Sequence, residues 1–499
     1  MNKFLFVFER AIIVFIALIL LPSCHSDDPD GSGNNDGVEQ HEVIIVGGGI
    51  SGLTSGYYLG NRDFVILEKS NKVGGRTVSG TYNNVKYALG TEYLGYPEDH
   101  LADLVKKLGL SPVEIPEPMD AFFDGNKIYY GADAEDQYLI DNSSQSTYQK
   151  FVRTLLADNN KYDDIPDLDY NVWAKSMDEM TAKQWFLNYG FPNIYINKYN
   201  VESRGIFGAS LDEISALCLI PEAAFDYDES DLQNSPVRPA ETKTGKAQTD
   251  QSDAYTFLTG ITEVTDKLGN ILNNKIKLSC TVSLVEKKGS VYRVTYTDKD
   301  GTEKQMDAKR VILAVPAPIA LKIASTAISE EHSNIMKEIS YSSYATVALF
   351  SKTAIFNKAF DLAMPDGYFF TDLYDATWVQ RYYNKSFDPN TFIATVYIAP
   401  QSYKDHSLDN MSDAEILQKV YADLDKALPG ASKKVTGYKV HHFPYAYPVM
   451  TLGAYGRLIR LNNLNTGSLI LAGDYMIYPT FESAVETGYY AAEAIKDDE

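Results

Sequence analysis

Short apolar runs, separated by glycine-rich or polar stretches, recur along the chain after residue 40. The run Glu42–Val46 is followed at once by glycines and then by the segment LTSGYYL, which predicts the start of a helix. A second apolar run, Phe64–Leu67, comes after that helix. Such short β-branched runs without polar alternation predict parallel strands buried on both faces. Val291–Thr297 and Lys304–Ala308, on either side of Asp300-Gly301, predict a hairpin. We therefore expect an α/β fold.

The turn between the first strand and the helix carries the motif Gly-x-Gly-x-x-Gly, formed by Gly47, Gly49 and Gly52 with Ser51 inside it. The first glycine permits a tight turn, the second lets the backbone approach a pyrophosphate, and the third allows close packing of helix and strand. The pyrophosphate then lies at the helix N-terminus, which favours an anion. Glu68 ends the second strand, where a carboxylate can accept hydrogen bonds from both ribose hydroxyls. Together these features predict a dinucleotide-binding unit.

The first 24 residues have the pattern of an export signal. Ala11–Leu21 is an apolar run of the length found in signal peptides and is short for a membrane span. Leu21-Pro22-Ser23-Cys24 resembles a bacterial lipobox, which implies a signal peptide over residues 1–23 and diacylation of Cys24. Two acyl chains suffice for stable anchoring. A plain signal peptide or an uncleaved anchor is the alternative.

Residues 24–40 are rich in Asp, Gly, Ser and Asn, a composition that predicts a flexible linker. His25, rather than an aspartate, follows the cysteine, so the segment differs from an inner-membrane retention signal. We therefore expect an exported protein that is lipid-anchored to a membrane, with the outer membrane as the expected site. The folded part is expected to begin near His41.

Charge and cysteine content argue against nucleic-acid binding and against a metal site. Among 499 residues, 45 Lys and Arg stand against 67 Asp and Glu, a formal net charge of −22 that opposes binding to a phosphate backbone. We therefore expect no nucleic-acid partner. The three cysteines, Cys24, Cys218 and Cys280, are too few for a disulfide framework, and the sequence has no Cys/His cluster with metal-ligand spacing. We expect no metal site.

A second glycine pair follows in Val73-Gly74-Gly75-Arg76-Thr77, where Arg76 can donate charge-assisted hydrogen bonds to a pyrophosphate. With the first motif, this segment resembles the flavin-containing amine oxidoreductase superfamily, which includes monoamine oxidases, protoporphyrinogen oxidases and phytoene desaturases. Further blocks with this resemblance follow in order: Leu89–Gly95 with Gly90 and Thr91, Gly260-Ile261, Thr281-Val282, Val311–Pro316, Leu469–Asp474 with Gly473 and Asp474, and Glu482–Gly488 with Ala484.

The resemblance implies FAD as the cofactor. It places the block of Gly90 beside the isoalloxazine, Val282 at the adenine, Asp474 at the ribityl chain, and the helix of Ala484 at the pyrimidine end. Covalent members attach the flavin through a cysteine shortly before the last strand, and residues 431–468 contain none. We therefore expect non-covalent FAD.

The blocks are separated by long segments, so the resemblance also implies two interleaved domains. Residues 41–115, 255–316 and 445–499 are expected to form a Rossmann-type FAD-binding domain, and residues 116–254 and 317–444 a mixed α+β substrate domain. The active site is expected between them. Within the second, the polar stretch Asp226–Asp253 predicts a loop, either near the entrance or a plain surface insertion.

Three residues are candidates for catalysis. In amine-oxidising members, a lysine on a substrate-domain strand contacts flavin N5 through a water, and in the matching strand, Tyr341–Ser351, its position falls on Thr346. Lys352 lies about 20 Å further along an extended strand and does not replace it. Glu92 is a candidate base, with a structural role as the alternative. Tyr455 lies in a segment that resembles one approaching the flavin.

These observations favour an enzyme in which FAD accepts a hydride from a C–H bond next to an amine. One alternative is dehydrogenation of a polyene or tetrapyrrole-like molecule. Another is a flavin protein without redox function, either an isomerase or a pseudoenzyme. The missing lysine predicts slow reaction with oxygen, so a quinone or another carrier is the expected electron acceptor.

Overall fold

The computed structural model describes residues 37–165, 167–227, 232, 254–464 and 467–497. The predicted signal peptide, Cys24, most of the predicted linker and most of the stretch Asp226–Asp253 lie outside the described residues. In the described ranges, no helix combines the length and the apolar character needed to cross a bilayer.

The strands of the described residues carry labels in chain order. They are β1 (Glu39–Val46), β2 (Phe64–Leu67), β3 (Ser79–Tyr82), β4 (Val85–Ala88), β5 (Val113–Glu114), β6 (Ala121–Phe123), β7 (Ile128–Tyr130), β8 (Tyr255–Thr256), β9 (Ile276–Lys277), β10 (Thr281–Lys288), β11 (Val291–Thr297), β12 (Glu303–Leu313), β13 (Tyr341–Ser351), β14 (Asp361–Ala363), β15 (Asp372–Asp375), β16 (Phe392–Ile398), β17 (Val435–Pro448) and β18 (Leu469–Leu471).

The α-helices are labelled in the same way. They are α1 (Ile50–Leu59), α2 (Asp99–Lys107), α3 (Ala132–Asp141), α4 (Gln145–Asn159), α5 (Val172–Asp178), α6 (Ala182–Asn188), α7 (Asn193–Phe207), α8 (Ala216–Ala224), α9 (Thr262–Ile271), α10 (Ala317–Ile323), α11 (Glu330–Met336), α12 (Trp378–Tyr383), α13 (Asp413–Ala427), α14 (Ala454–Asn462) and α15 (Phe481–Asp497).

The first large sheet confirms the predicted strand–helix–strand unit. Its order is β10-β11-β12-β1-β2-β9, with β18 beside β12, and β1 is parallel to both β2 and β12. Val43–Val46 and Phe64–Leu67 are buried throughout, as expected for parallel strands covered on both faces. Helices α1 and α15 lie close together, since a Cβ atom at Gly488 would be 2.4 Å from the carbonyl oxygen of Ser51. This α/β layer positions the glycine turn.

The second arm of the predicted hairpin, Lys304–Ala308, and the start of the predicted strand Val311–Pro316 belong to one strand, β12. β12 pairs antiparallel with β11 over Glu303–Ala308, and it then pairs parallel with β18, where Val311 lies opposite Leu469. The prediction of two separate strands was wrong, because no turn separates the hairpin arm from the apolar run that follows it.

The second large sheet has the order β17-β13-β16-β15-β14-β6-β7. The predicted strand Tyr341–Ser351 is β13, which is buried along its whole length between the antiparallel strands β16 and β17. Its register places Thr346 opposite Tyr397 on one side and opposite His441 on the other.

The two sheets use different parts of the chain. The strands of the second sheet fall in the segments predicted for the substrate domain, except that β17 extends to Pro448, beyond the predicted boundary at residue 445. From Glu39 onward, the described residues belong to one compact unit. The division into two domains therefore stays a prediction.

Candidate active site

Two glycines of the motif after β1 leave no room for a side chain. Gly47 has φ +108°, and a Cβ atom there would lie 2.3 Å from the carbonyl oxygen of Ala314. A Cβ atom at Gly52 would lie 2.0 Å from the carbonyl oxygen of Gly47. Larger residues at these positions would push strand and helix apart. The N-terminus of α1, with Gly49 and Ser51, therefore follows the end of β1 directly and offers its free N–H groups to an anion.

Glu68 ties the glycine turn to the second strand. Its buried carboxylate accepts the N–H of Gly48 at Oε2 and the N–H of Ser70 at Oε1, both at 2.7 Å. This bracing role is additional to the predicted contact with the ribose. Each carboxylate oxygen has a second lone pair, so both oxygens can still accept hydrogen bonds from a ligand.

Arg76 and Asp474, which were predicted to bind different parts of the cofactor, form a salt bridge with each other. The guanidinium donates to both carboxylate oxygens of Asp474, at 2.6 and 2.7 Å, and to the carbonyl of Ala446 at 2.7 Å. Burial acts to lower the pKa of Arg76, but the ion pair with Asp474 outweighs burial and the pKa is raised. These bonds use three of the five N–H donors, so two remain for a pyrophosphate.

One cavity of about 1740 Å³ extends from the glycine turn to the second sheet. Small-molecule sites have volumes of roughly 300–1,000 Å³, so this cavity has room for a large cofactor together with a substrate. Its lining includes these predicted residues: Gly47, Gly49, Ser51, Glu68, Gly75, Arg76, Gly90, Thr91, Glu92, Val282, Thr346, Gly473, Asp474 and Ala484.

Gly52 and Tyr455 are not among the described residues that line this cavity. For Gly52 this agrees with the packing role expected of the third glycine. Tyr455 is 1% exposed in α14, and its hydroxyl lies 3.4 Å from the Tyr162 hydroxyl and 3.5 Å from the carbonyl oxygen of Leu217. Because α14 directs this ring into the core, the structure gives Tyr455 a packing role in place of the predicted approach to the flavin.

Thr346 lies in the cavity wall, but its hydroxyl is already bonded. Oγ1 donates to the carbonyl of Leu89 at 2.8 Å, and the residue is 1% exposed. Thr346 therefore holds the segment before Gly90 against β13 and brings no positive charge to the site.

Glu92 also lines the cavity, next to a residue that sequence reasoning missed. Its Oε2 lies 2.9 Å from the hydroxyl oxygen of Tyr397. Burial, with a contribution from the charge of Asp375, raises the pKa of Glu92 to about 7, although the hydrogen bond with Tyr397 acts in the opposite direction. Tyr397 lies in the run FIATVYI, which is typical of any buried strand, so nothing in the sequence distinguishes it from a core tyrosine.

Carboxyl groups cover the part of the cavity formed by β6, β14, β15 and the helices α3, α7 and α8. We call this surface the acidic wall; its members are Asp120, Glu135, Glu202, Glu222, Asp226, Asp361 and Asp372. Lys198 lies among them, with Nζ 3.5 Å from Glu135 and 3.4 Å from Glu202. Oδ1 of Asp361 is buried and has no hydrogen-bond partner among the described residues. Burial and neighbouring carboxyl groups raise the pKa values of Asp361 and Asp120, and they raise those of Glu222, Asp226 and Asp372 to about 7. Part of the wall is therefore protonated near neutral pH, and a cation bound there would favour the ionised forms.

The family model described as flavin containing amine oxidoreductase matches residues 50–496. The chain belongs to this family. FAD is therefore its cofactor, and the cavity fits FAD by its size, by the crowded glycines at one end and by the free donors of Arg76.

Two curated relatives show how far the sequence similarity extends. Flavin-containing amine oxidase B of Rattus norvegicus is 40% identical over 79 residues, which is 15% of each chain. A flavin-containing amine oxidase of Oncorhynchus mykiss is 25% identical over 301 residues, covering 56% of this chain and 51% of that protein. The chain thus spans between 15% and about half of the length of these curated relatives.

Solved structures share the fold over nearly the whole chain. Putrescine oxidase bound to putrescine has a TM-score of 0.70 at 18% identity, covering 92% of this chain and 99% of that one. Cyclohexylamine oxidase from Brevibacterium oxydans IH-35A has a TM-score of 0.71 at 16% identity, with the same coverage. A fatty acid isomerase from P. acnes has a TM-score of 0.64 at 16% identity, covering 92% and 98%. Because oxidases and an isomerase share this fold, the fold alone does not select the reaction.

The described cysteines bear on how FAD is held. Cys280 lines the cavity close to Val282, the predicted contact of the adenine. Cys218 is buried in the core, with Sγ 3.8 Å from the hydroxyl oxygen of Tyr478. Neither cysteine lies in residues 431–468, and non-covalent binding of FAD stays a prediction.

Proposed function

We propose that the protein is an FAD-dependent oxidoreductase that removes a hydride from the C–H bond next to an amine. The acidic wall is the observation that carries this proposal. The buried Oδ1 of Asp361 has no hydrogen-bond donor among the described residues, and a substrate ammonium would supply one. A polyene offers no donor to this wall, and a fatty acid or porphyrin carboxylate would be repelled by it.

The residues of the chain divide the work between the two ends of the cavity. FAD, when bound, supplies the hydride-accepting chemistry. Glu68 and the Arg76–Asp474 pair brace the glycine-rich end, where α1 and Arg76 offer N–H donors to the pyrophosphate. The acidic wall attracts and orients the ammonium at the other end. Orientation of this kind contributes to catalysis because it replaces a random encounter with a fixed geometry.

Anaerobic titration of the flavin-loaded protein tests the proposal. We expect the oxidised flavin absorbance to be bleached by a primary amine, and by a diamine at lower concentration, because two ammonium groups can meet the wall. A polyene or a porphyrinogen is expected to leave the absorbance unchanged. Bleaching by the apolar compounds alone would favour the dehydrogenase alternative, and bleaching by none of the compounds would favour a protein without redox function.

Two variants show whether the wall selects the cation. Asp361→Asn is expected to raise the half-saturating amine concentration about tenfold, since a hydrogen bond between charged groups is lost. Asp212→Asn, a matched change at a mostly exposed carboxylate paired with Lys183, is expected to have no effect.

Burial and like charges raise the pKa values of Glu222 and Asp226 to about 7, so protonation below that pH removes negative charge from the acidic wall. The half-saturating concentration should therefore rise as the pH falls from 8 to 6.

We also propose that Cys24 carries the lipid that anchors the exported protein, as the lipobox-like segment implies. Cys24→Ser is expected to yield a protein without acyl mass that partitions into the aqueous phase of a detergent extraction and still binds FAD. The intact mass of the native mature chain gives the independent measurement. A native chain of unacylated mass contradicts this proposal and leaves the proposed reaction untouched.

A further inference from the structure

Three hydroxyl groups hold the chain segment that precedes Glu92 against the second sheet. Thr395 donates to the carbonyl of Ala88 at 3.2 Å, and Thr346 donates to that of Leu89 at 2.8 Å. The hydroxyl of Tyr397 bonds to the carbonyl of Gly90. Successive carbonyl groups before Glu92 thus each have a donor from β13 or β16, and the carbonyl of Glu92 itself accepts from the Thr256 hydroxyl at 3.3 Å.

The hydrogen count at Tyr397 distinguishes it from the other two residues. Its hydroxyl oxygen contacts two acceptors, the carbonyl oxygen of Gly90 and Oε2 of Glu92, but a phenol has only one hydrogen to donate. If Glu92 is ionised, one of these acceptors has no donor at Tyr397. If Glu92 is protonated, its O–H donates to Tyr397, whose own O–H donates to Gly90, and both contacts are hydrogen bonds.

We propose that Glu92 takes the proton of the substrate ammonium, and that Tyr397 is its positioning residue, with a hydroxyl that changes acceptor as Glu92 changes protonation state. The inference rests on the proposed function. In this step an N–H bond of the substrate breaks and an O–H bond forms on Glu92, and the bonding pair stays on nitrogen as a lone pair. Tyr397 then turns from Glu92 to Gly90. The neutral amine that results is the form whose neighbouring C–H bond can lose a hydride.

The surroundings of Glu92 keep this proton transfer near neutral pH. Burial is the main reason that the pKa of Glu92 is raised to about 7. The charge of Asp375 contributes in the same direction, and Arg381 pairs with Asp375 through Nη1 at 2.9 Å. Tyr93 and Tyr397 also line this part of the cavity. A carboxyl group with a pKa close to the working pH is well suited to accept and return a proton.

The test compares two variants that each remove one hydroxyl of the set. Tyr397→Phe deprives the Glu92 carboxylate of a hydrogen-bond donor, so the pKa of Glu92 is expected to rise by about one unit. The rising limb of the kcat/KM profile should move up by the same amount, with about fivefold lower kcat/KM at pH 7. Thr395→Val removes a comparable bond to a backbone carbonyl without touching Glu92, and it should leave the midpoint in place.

A spectroscopic titration of the oxidised, flavin-loaded protein gives a readout that does not depend on turnover. The carboxylic acid C=O band of Glu92, identified by its loss in Glu92→Gln, should disappear with a midpoint near pH 7 and at higher pH in Tyr397→Phe. In Glu92→Gln, kcat/KM should fall by about a hundredfold or more, and the pH dependence that remains should be that of amine binding to the acidic wall. An unmoved midpoint in Tyr397→Phe, or a midpoint that Thr395→Val moves equally, overturns the inference. If no amine bleaches the flavin, the proposed function fails and so does the ammonium as proton source.

Discussion

Arg76→Ala is expected to destabilise the protein by about 3–5 kcal/mol and to leave it largely without FAD. The change leaves the carboxylate of Asp474, whose side chain is 4% exposed, without its cation, and removing one partner of a buried ion pair has a cost of this size. It also removes the two N–H donors that remain for the pyrophosphate. The free energy of unfolding in urea and the flavin content per protein chain are the two measurements.

A second arginine supplies the matched control. Arg293 binds Asp307 through two bonds of 2.8 and 2.9 Å, but this pair lies on the first sheet and not among the described residues that line the cavity. Arg293→Ala should therefore lower stability and leave the flavin content unchanged. Full flavin occupancy in Arg76→Ala, at wild-type stability, would mean that the cofactor lies elsewhere in the cavity.

Thr346→Lys is expected to accelerate the reaction of the substrate-reduced enzyme with oxygen at least about tenfold. A positive charge placed near the reacting oxygen stabilises the negative charge that develops on it, and preorganised groups of this kind contribute ~3–4 kcal/mol, or about a hundred- to a thousandfold in rate. The wild-type enzyme, with a neutral hydroxyl bonded to Leu89, is expected to react slowly with oxygen and faster with a quinone.

The structure indicates that this substitution lowers stability, and it suggests a control variant. Lysine removes the hydrogen bond to Leu89, which is worth about 1 kcal/mol, so the variant should be somewhat less stable. Thr346→Met removes the same hydroxyl and adds length without charge. Equal acceleration in Thr346→Met would show that charge is not the cause. Reoxidation of the wild type by air within milliseconds would show that another cation serves the site.

If both predictions hold, the two ends of the cavity have separate tasks. Loss of Arg76 affects how FAD is retained, whereas a change at Thr346 affects which acceptor removes the electrons. The Glu92–Tyr397 pair lies beside the segment that Thr346 holds, so Thr346→Met also shows whether that segment keeps its place when one of its three hydroxyl donors is lost.

The sequence by itself determined the cofactor end of this protein. A Cβ atom at Gly47 or Gly52 would lie 2.3 or 2.0 Å from a backbone oxygen, so both positions require glycine. This requirement is local and is visible in the sequence as the glycine motif. The same holds for Val43–Val46 of β1 and for β2, whose burial on both faces follows from their β-branched composition. Features within about 20 residues of each other were therefore predictable from residue type and spacing.

Only the tertiary structure decided the substrate end and the salt bridge at the cofactor end. The bond between Thr346 and Leu89 joins residues 257 apart, that between Tyr397 and Glu92 joins residues 305 apart, and the Arg76–Asp474 pair spans 398. Such pairs depend on strand register and on which loop packs against which sheet face, and a polar side chain in an apolar strand carries no local mark of its partner. For the same reason the acidic wall, assembled from strands and helices far apart in the chain, was not visible in the sequence.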